Sequence, residues 1–184
     1  MPTPARTSLD EIVTAGRHSL EADGLDGLTM QRVAEIVGVR APSLYKRVPS
    51  RGDLIRLIAE DVARELTESL DAVTTGDPRR DLRAMAEAMR TFAHANPASY
   101  SLIFTLLPDA WRPDPDLLAR ASSAVLRTTA TMTGPDRALE VARTLVAWAH
   151  GFISMELAGA FRLGGSVDDA FAFGVERLAT ALAN

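Results

Sequence analysis

The chain has 184 residues, 47% of them hydrophobic, and a mean hydropathy of +0.03. That is enough apolar material for one or two packed domains, and it excludes a disordered chain. Cysteine is absent, which excludes disulfides and thiolate metal sites, and the formal charge of −4 argues against indiscriminate binding to nucleic acid.

Residues 1–6 contain no apolar run, so no signal peptide is read there and a cytoplasmic location is expected. Every segment that follows reads as helix, and none sustains the alternation of a strand. Ser8-x-x-Glu11 has the pattern of a capping box. Leu9, Ile12, Val13 and Leu20 give that first helix an inward face, and Gly24 stops it.

Residues 28–47 carry the densest signal. Thr29 suits an N-cap, with Val33 and Ile36 as the buried face of a short helix. Gly38 sits where a left-handed residue would end that helix, and Val39 plugs the turn. Pro42 fits the first turn of a second helix, where its missing N–H is not needed, and Leu44 faces the core. This is the layout of a helix-turn-helix, whose second helix enters the DNA major groove. Between residues 40 and 56 five cations (Arg40, Lys46, Arg47, Arg51 and Arg56) meet one carboxylate, Asp53, a local charge of +4 on an acidic chain. A confined cationic patch suits a protein that binds one kind of DNA site.

Ser50 can cap a longer helix running to about residue 70, with Leu54, Ile58, Val62 and Leu66 along one side. The breaker cluster at residues 74–78 predicts a boundary between a DNA-binding domain, 5–70, and a second domain, 77–184. In the second domain Leu82, Met85, Met89 and Phe92 line one helix, and Tyr100, Ile103, Phe104 and Leu107 line a short one. A stiff loop around Trp111 leads to a helix burying Leu118, Ala121, Val125 and Met132. The longest helix is expected over about 136–163, ended by Gly164-Gly165, and is apolar nearly all round from 145 to 161. It holds His150 and Glu156 and falls short of a membrane span, so it must be covered on all sides, most simply by a second subunit. A stripe of small residues, Ala147, Gly151, Ser154 and Ala158, would let a neighbouring helix approach closely. Phe171, Val175 and Leu178 on a last helix capped by Ser166 complete the expected homodimer interface.

The residues Leu28-Thr29, Val33-Ala34, Gly38-Val39, Ser43-Leu44-Tyr45, Ser50-Arg51 and Asp53-Leu54, spaced as they are here, resemble the DNA-binding domain of TetR-family transcriptional regulators. The family often has an aromatic residue after its Tyr-x-His triplet and a Lys-Glu pair opening the next helix. This chain has Arg47-Val48 and Arg51-Gly52 at those places. The second half resembles the C-terminal domain of the Trp-His-Gly type, here Trp148-Ala149-His150-Gly151, with an interrupted triplet. The resemblance implies an all-α fold, a three-helix helix-turn-helix domain followed by a helical ligand-binding and dimerisation bundle.

The expected DNA-reading surface is Thr29, Arg40, Ala41, Pro42, Ser43, Tyr45, Lys46 and Arg51. By resemblance the Tyr45 hydroxyl meets a phosphate, and Arg51 with the amides opening its helix forms a phosphate site. Met85, Met89, Phe92, Phe104, Trp111, Trp148 and Met155 are the candidates for an effector pocket, since bundle helices commonly hold apolar ligands between them. The three histidines fall on separate helices and no nucleophile, phosphate-loop or zinc motif occurs, so neither catalysis nor a cofactor or metal is expected. The expectation is a ligand-responsive repressor that binds a palindromic operator in double-stranded DNA as a homodimer, answers a small-molecule effector and needs no membrane. The rival is a helical interaction or ligand-binding module that no longer binds DNA.

Overall fold

The computed structural model describes residues 7–182. Residues 1–6, where the signal-peptide reading falls, and 183–184 lie outside the described residues. Among the described residues the chain forms ten α-helices and a 3-10 turn, with no strand, and no helix is long and apolar enough to cross a membrane. The chain divides into two compact units. One comprises the residues up to Ala63 together with Asn96–Leu117; the other comprises Arg64–Ala95 and the residues from Leu118 onward.

In the first unit, α1 (Leu9–Gly27) begins with the expected capping box: Glu11 N–H donates to Ser8 Oγ at 3.0 Å and Ser8 N–H to Glu11 Oε2 at 2.7 Å. Its regular path breaks at Gly24, whose φ of 68° no L side chain adopts comfortably. Next comes α2 (Met30–Val37), capped by Thr29 Oγ1, which accepts from Arg32 N–H at 3.1 Å. Gly38 ends it in the left-handed region, at φ 78°. The turn delivers α3 (Ala41–Leu44), with Pro42 in its first turn.

Then α4 (Arg51–Ala72) opens on Ser50, whose Oγ accepts from Asp53 N–H at 3.1 Å. Its residues Leu54, Ile55, Ile58, Ala59 and Val62 are fully buried. Gly16 lets α1 approach α4 closely, since a Cβ there would stand 2.7 Å from Ile58 Cδ1. The division between the units falls within α4, at Ala63.

The second unit takes the end of α4 and then α5 (Pro78–Ala95), where Leu82, Met85, Met89 and Phe92 form the expected buried face. Asp81, buried in the first turn of α5, accepts from Thr75 N–H and Oγ1 and from Gly76 N–H of the loop before the helix, at 2.7–2.9 Å. Burial alone would raise its pKa, but those hydrogen bonds outweigh it and hold the carboxyl below its ordinary range.

The chain then returns to the first unit as α6 (Pro97–Phe104), which packs on α1. Asn96 does not cap this helix. Glu21 of α1 does, accepting from Ala98 N–H at 3.0 Å and Ser99 N–H at 2.8 Å. A 3-10 turn, Asp109–Trp111, follows. The helix expected next is two, α7 (Pro115–Ala121) and α8 (Ser123–Thr133).

In the second unit α8 pairs with α9 (Pro135–Leu157), and buried Thr129 Oγ1 donates across to Ala138 C=O at 3.0 Å. The long helix ends earlier than expected. Gly159 at φ 63° turns the chain, and Ala160 N–H returns to Met155 C=O at 2.9 Å, so the helix never reaches Gly164. Finally α10 (Val167–Leu182) starts on Ser166, whose Oγ accepts from Asp169 N–H at 3.0 Å, and packs against α5 and α9.

Four expected core residues are exposed. Leu9 is 38% exposed at the first position of α1, whose buried face starts only at Ile12. Ile36 is 38% exposed, because α2 buries Met30, Val33 and Ala34 and Ile36 projects to the side of that face. Leu118, 41% exposed, lies on α7, a separate short helix with no buried residue. Phe104 is 40% exposed at the last position of α6, whose buried residues are Ser99, Tyr100 and Leu102.

Candidate nucleic-acid interface

The turn after α2 is built by two backbone hydrogen bonds, Gly38 N–H to Glu35 C=O at 3.2 Å and Val39 N–H to Ala34 C=O at 2.9 Å. It delivers α3 with Leu44 and, just beyond, Val48 fully buried. Those two anchors fix which side of the segment faces outward. Pro42, Ser43, Tyr45, Lys46 and Arg47 are exposed beside them, with Arg40 exposed at the N-cap and Ala41 half-buried. Regular α-helix covers only four residues here. Arg47 and Val48 N–H both return to Leu44 C=O, at 2.8 and 2.9 Å, and Pro49 drives the residue before it out of helical geometry. Lys46 therefore stands on the turn after α3.

Thr29 and Arg51 have definite tasks within the unit. Thr29 Oγ1 caps α2. Arg51 Nε donates to Leu28 C=O at 2.6 Å, and a terminal guanidinium nitrogen donates to Leu25 C=O. These bonds join the start of α4 to the chain between α1 and α2. The start of α4 also differs from the open phosphate site expected there. Asp53 places a carboxylate in the first turn, where Ser50 Oγ donates to it at 2.7 Å, and Gly52 is buried. The spacing of Ser50 and Asp53 is legible in the sequence, but the burial of Gly52 and the carbonyl partners of Arg51, 23 and 26 residues away, are not.

The seven effector-pocket candidates separate. Phe104 and Trp111 belong to the first unit, Met85, Met89, Phe92, Trp148 and Met155 to the second. In the second unit the three α5 residues are buried, Trp148 is half-buried and Met155 is half-exposed. Trp148 stacks on Phe171 at 5.5 Å between centroids and lies against Gly174, where a Cβ would stand 2.1 Å from its Cζ2. That contact explains how α9 and α10 come so close.

Beside it Arg90 binds Glu156 twice, through Nε at 2.8 Å and a terminal nitrogen at 2.5 Å, and Asp168 at 2.6 Å, with its guanidinium 5.0 Å from the Phe171 ring centre. His94 Nε2 lies 3.2 Å from Glu156 Oε2. The Arg90 hydrogen bonds hold the Glu156 carboxyl below its ordinary pKa despite its burial. Desolvation lowers the pKa of half-buried His150, so the ring favours its neutral form.

The expected dimer residues divide as well. Ala147, Gly151, Ser154 and Ala158 are all exposed along one face of α9, and nothing lies within 4 Å of a Cβ on Gly151. Phe171 and Val175 are buried within the unit and Leu178 is half-buried. They face α5 and α9, because Phe171 packs on Trp148, Phe152 and Arg90. The outward residue of α10 is Phe173, 63% exposed.

Residues 82–178 match the family model described as tetracyclin repressor-like, C-terminal domain. The chain is 33% identical over 161 residues to the helix-turn-helix-type transcriptional regulator Rv0681 of Mycobacterium tuberculosis, an alignment covering 85% of this chain and 73% of that one. It belongs to the TetR family of transcriptional regulators. As a TetR-family helix-turn-helix protein it is a DNA-binding regulator. Other curated relatives, such as a helix-turn-helix regulator of Mycobacterium bovis, are longer, and the match spans only 51% of that protein. Two solved structures share the TetR-like all-α fold. A protein from Rhodococcus sp. RHA1 superposes with a TM-score of 0.83 at 23% identity, over 100% of both chains. A TetR variant from Acinetobacter baumannii AYE, crystallised with minocycline, superposes with a TM-score of 0.72 at 21% identity, over 95% of this chain and 96% of its own.

Proposed function

We infer that this TetR-family regulator is a repressor that binds a palindromic operator as a homodimer and leaves it when a small apolar or amphipathic molecule binds the second unit. The observation that carries the reading is the exposed row Ser43, Tyr45, Lys46 and Arg47, set by buried Leu44 and Val48. Ser43 and Tyr45 supply hydroxyls, Lys46 and Arg47 supply cations, and Arg40 extends the cationic edge at the start of α3. Such groups bind phosphate oxygens for register and base edges for sequence.

A protein of this kind reads two half-sites roughly 34–36 Å apart, or a multiple of that, and needs a twofold partner to do so. The exposed α9 stripe, Ala147, Gly151, Ser154 and Ala158, with Phe173 on α10, is the surface assigned to that partner. The apolar side chains of α5 together with Trp148 and Met155 are assigned to the effector. The minocycline-bound TetR and the name of the matching family model support a ligand response and repression. The functional division at residues 74–78 remains part of this proposal, with α4 as the helix shared by the two compact units.

Release follows only if the effector prefers one conformer; a ligand that binds both equally shifts nothing. The hinge proposed is α4, whose displacement would move the reading heads away from the half-site spacing. The test is a pair of spin labels on α3 in the dimer, with distances measured before and after an effector that releases DNA. A changed separation supports the hinge; an unchanged separation with full release rules it out.

A further inference from the structure

A single tryptophan in the first unit is placed to act on the reading head without touching DNA. Trp111 ends the 3-10 turn, and its indole lies on the second residue of α4, Gly52. A Cβ built on Gly52 would stand 2.1 Å from Trp111 Nε1, 2.4 Å from Cδ1 and 2.7 Å from Cε2. The ring therefore fills the space that any side chain at residue 52 would need. The glycine at residue 52 is what admits the ring.

The contact is anchored on both sides. Beyond Trp111, Asp114 N–H donates to Glu60 Oε1 at 3.3 Å, and Glu60 also accepts from Arg56 at 2.9 Å, so the segment is tied to α4 two turns further along. On the other side of Gly52, Arg51 holds the carbonyls of Leu28 and Leu25. Leu28 is followed by Thr29, the cap of α2. A continuous path of contacts thus leads from Trp111 through Gly52 and Arg51 to the first helix of the helix-turn-helix, all within one compact unit.

We propose that Trp111 seated on Gly52 is a latch that holds the start of α4, and through Arg51 the helix-turn-helix, in its DNA-reading placement. This rests on the DNA-binding reading and adds to it a positioning residue remote in sequence from the recognition surface. A ring packed on bare backbone has no intervening side chain to absorb a shift, so it is either seated or displaced. The chain runs from Trp111 into α7 and, from Leu118, into the second unit.

The test is a double-mutant cycle in the full-length chain: wild type, Gly52→Ala, Trp111→Ala and the double variant. The readouts are affinity for a DNA fragment selected with the wild type, circular dichroism, and fluorine resonances of the two tryptophans labelled as 5-fluorotryptophan. Gly52→Ala should move the Trp111 resonance, leave that of Trp148 in place and weaken DNA binding about tenfold. The double variant should bind no worse than Trp111→Ala alone, because the added methyl then meets nothing. Trp111→Phe, the variant least disposed to unfold, should weaken binding at an unchanged salt slope, since no phosphate contact is lost. A displaced Trp111 resonance with undiminished DNA affinity overturns the latch, as do strictly additive losses. A wild-type chain that retains no fragment overturns the DNA-binding reading and the latch with it, and shows this before any variant is made.

Discussion

Lys46 and Arg51 are both cations of the expected DNA surface, and their surroundings give them different tasks. Lys46 stands exposed on the turn after α3, whereas Arg51 spends two of its donors on the carbonyls of Leu25 and Leu28. Replacing Lys46 by Ala should lower the slope of log affinity against log salt by about one, the signature of one lost phosphate contact. Replacing Arg51 by Ala should lower the melting temperature and weaken binding at every salt concentration, with the slope nearly unchanged; a slope that falls by a full unit would return Arg51 to the phosphate contacts. In the second unit, Glu156→Gln should cost about 1.5–3 kcal/mol at pH 7, the range for hydrogen bonds to a charged group.

The pH dependence follows from the direction of the Glu156 shift. Its pKa is lowered in the folded chain by Arg90, so its contribution is complete above the ordinary glutamate range, about 4.3, and is lost as the pH falls through the lower folded value. Melting curves from pH 7 to pH 3 should therefore show wild type and Glu156→Gln converging in acid; a constant gap would remove Glu156 from the acid limb. At this scale the sequence revealed caps well, because Ser8, Thr29, Ser50 and Ser166 act on residues three positions away. It did not reveal Arg51 or Arg90, whose partners are distant in the chain.

At the scale of elements, α9 shows both what periodicity reveals and what it hides. The small-residue stripe was legible, and the structure leaves it exposed. The far end of the helix was not, because three glycines could have stopped it and only backbone geometry chose Gly159 over Gly164 and Gly165. The inward face of α10 was legible as a face, but not its destination: Phe171 and Val175 cover α5 and α9 within the chain. The exposed stripe permits a clean test of assembly. Nothing lies within 4 Å of a Cβ on Gly151, so an arginine there costs an isolated subunit little. In a dimer packed on that face it would bury an unpaired charge. Gly151→Arg should sediment as a monomer while its helical content is kept; a dimer of unchanged affinity would place the interface on another surface.

For the whole molecule, sequence order and compactness differ. A boundary near residues 74–78 divides the chain by its breakers, yet Asn96–Leu117 folds with the N-terminal helices. Glu21 capping α6 and Trp111 lying on Gly52 are the reasons, and neither follows from local pattern, since a cap borrowed from another helix leaves no spacing to read. The helix-turn-helix itself was legible because its signals are local: a cap, a left-handed glycine and a proline in the next first turn. We propose that this head reads a specific operator as one of a pair. Selection of bound fragments from the source organism's genomic DNA by the purified protein tests it most directly. The expected result is enrichment of a few sites, each an inverted repeat with half-sites roughly 34–36 Å apart or a multiple of it; recovery of fragments without sequence preference, or of none, would contradict paired reading of an operator.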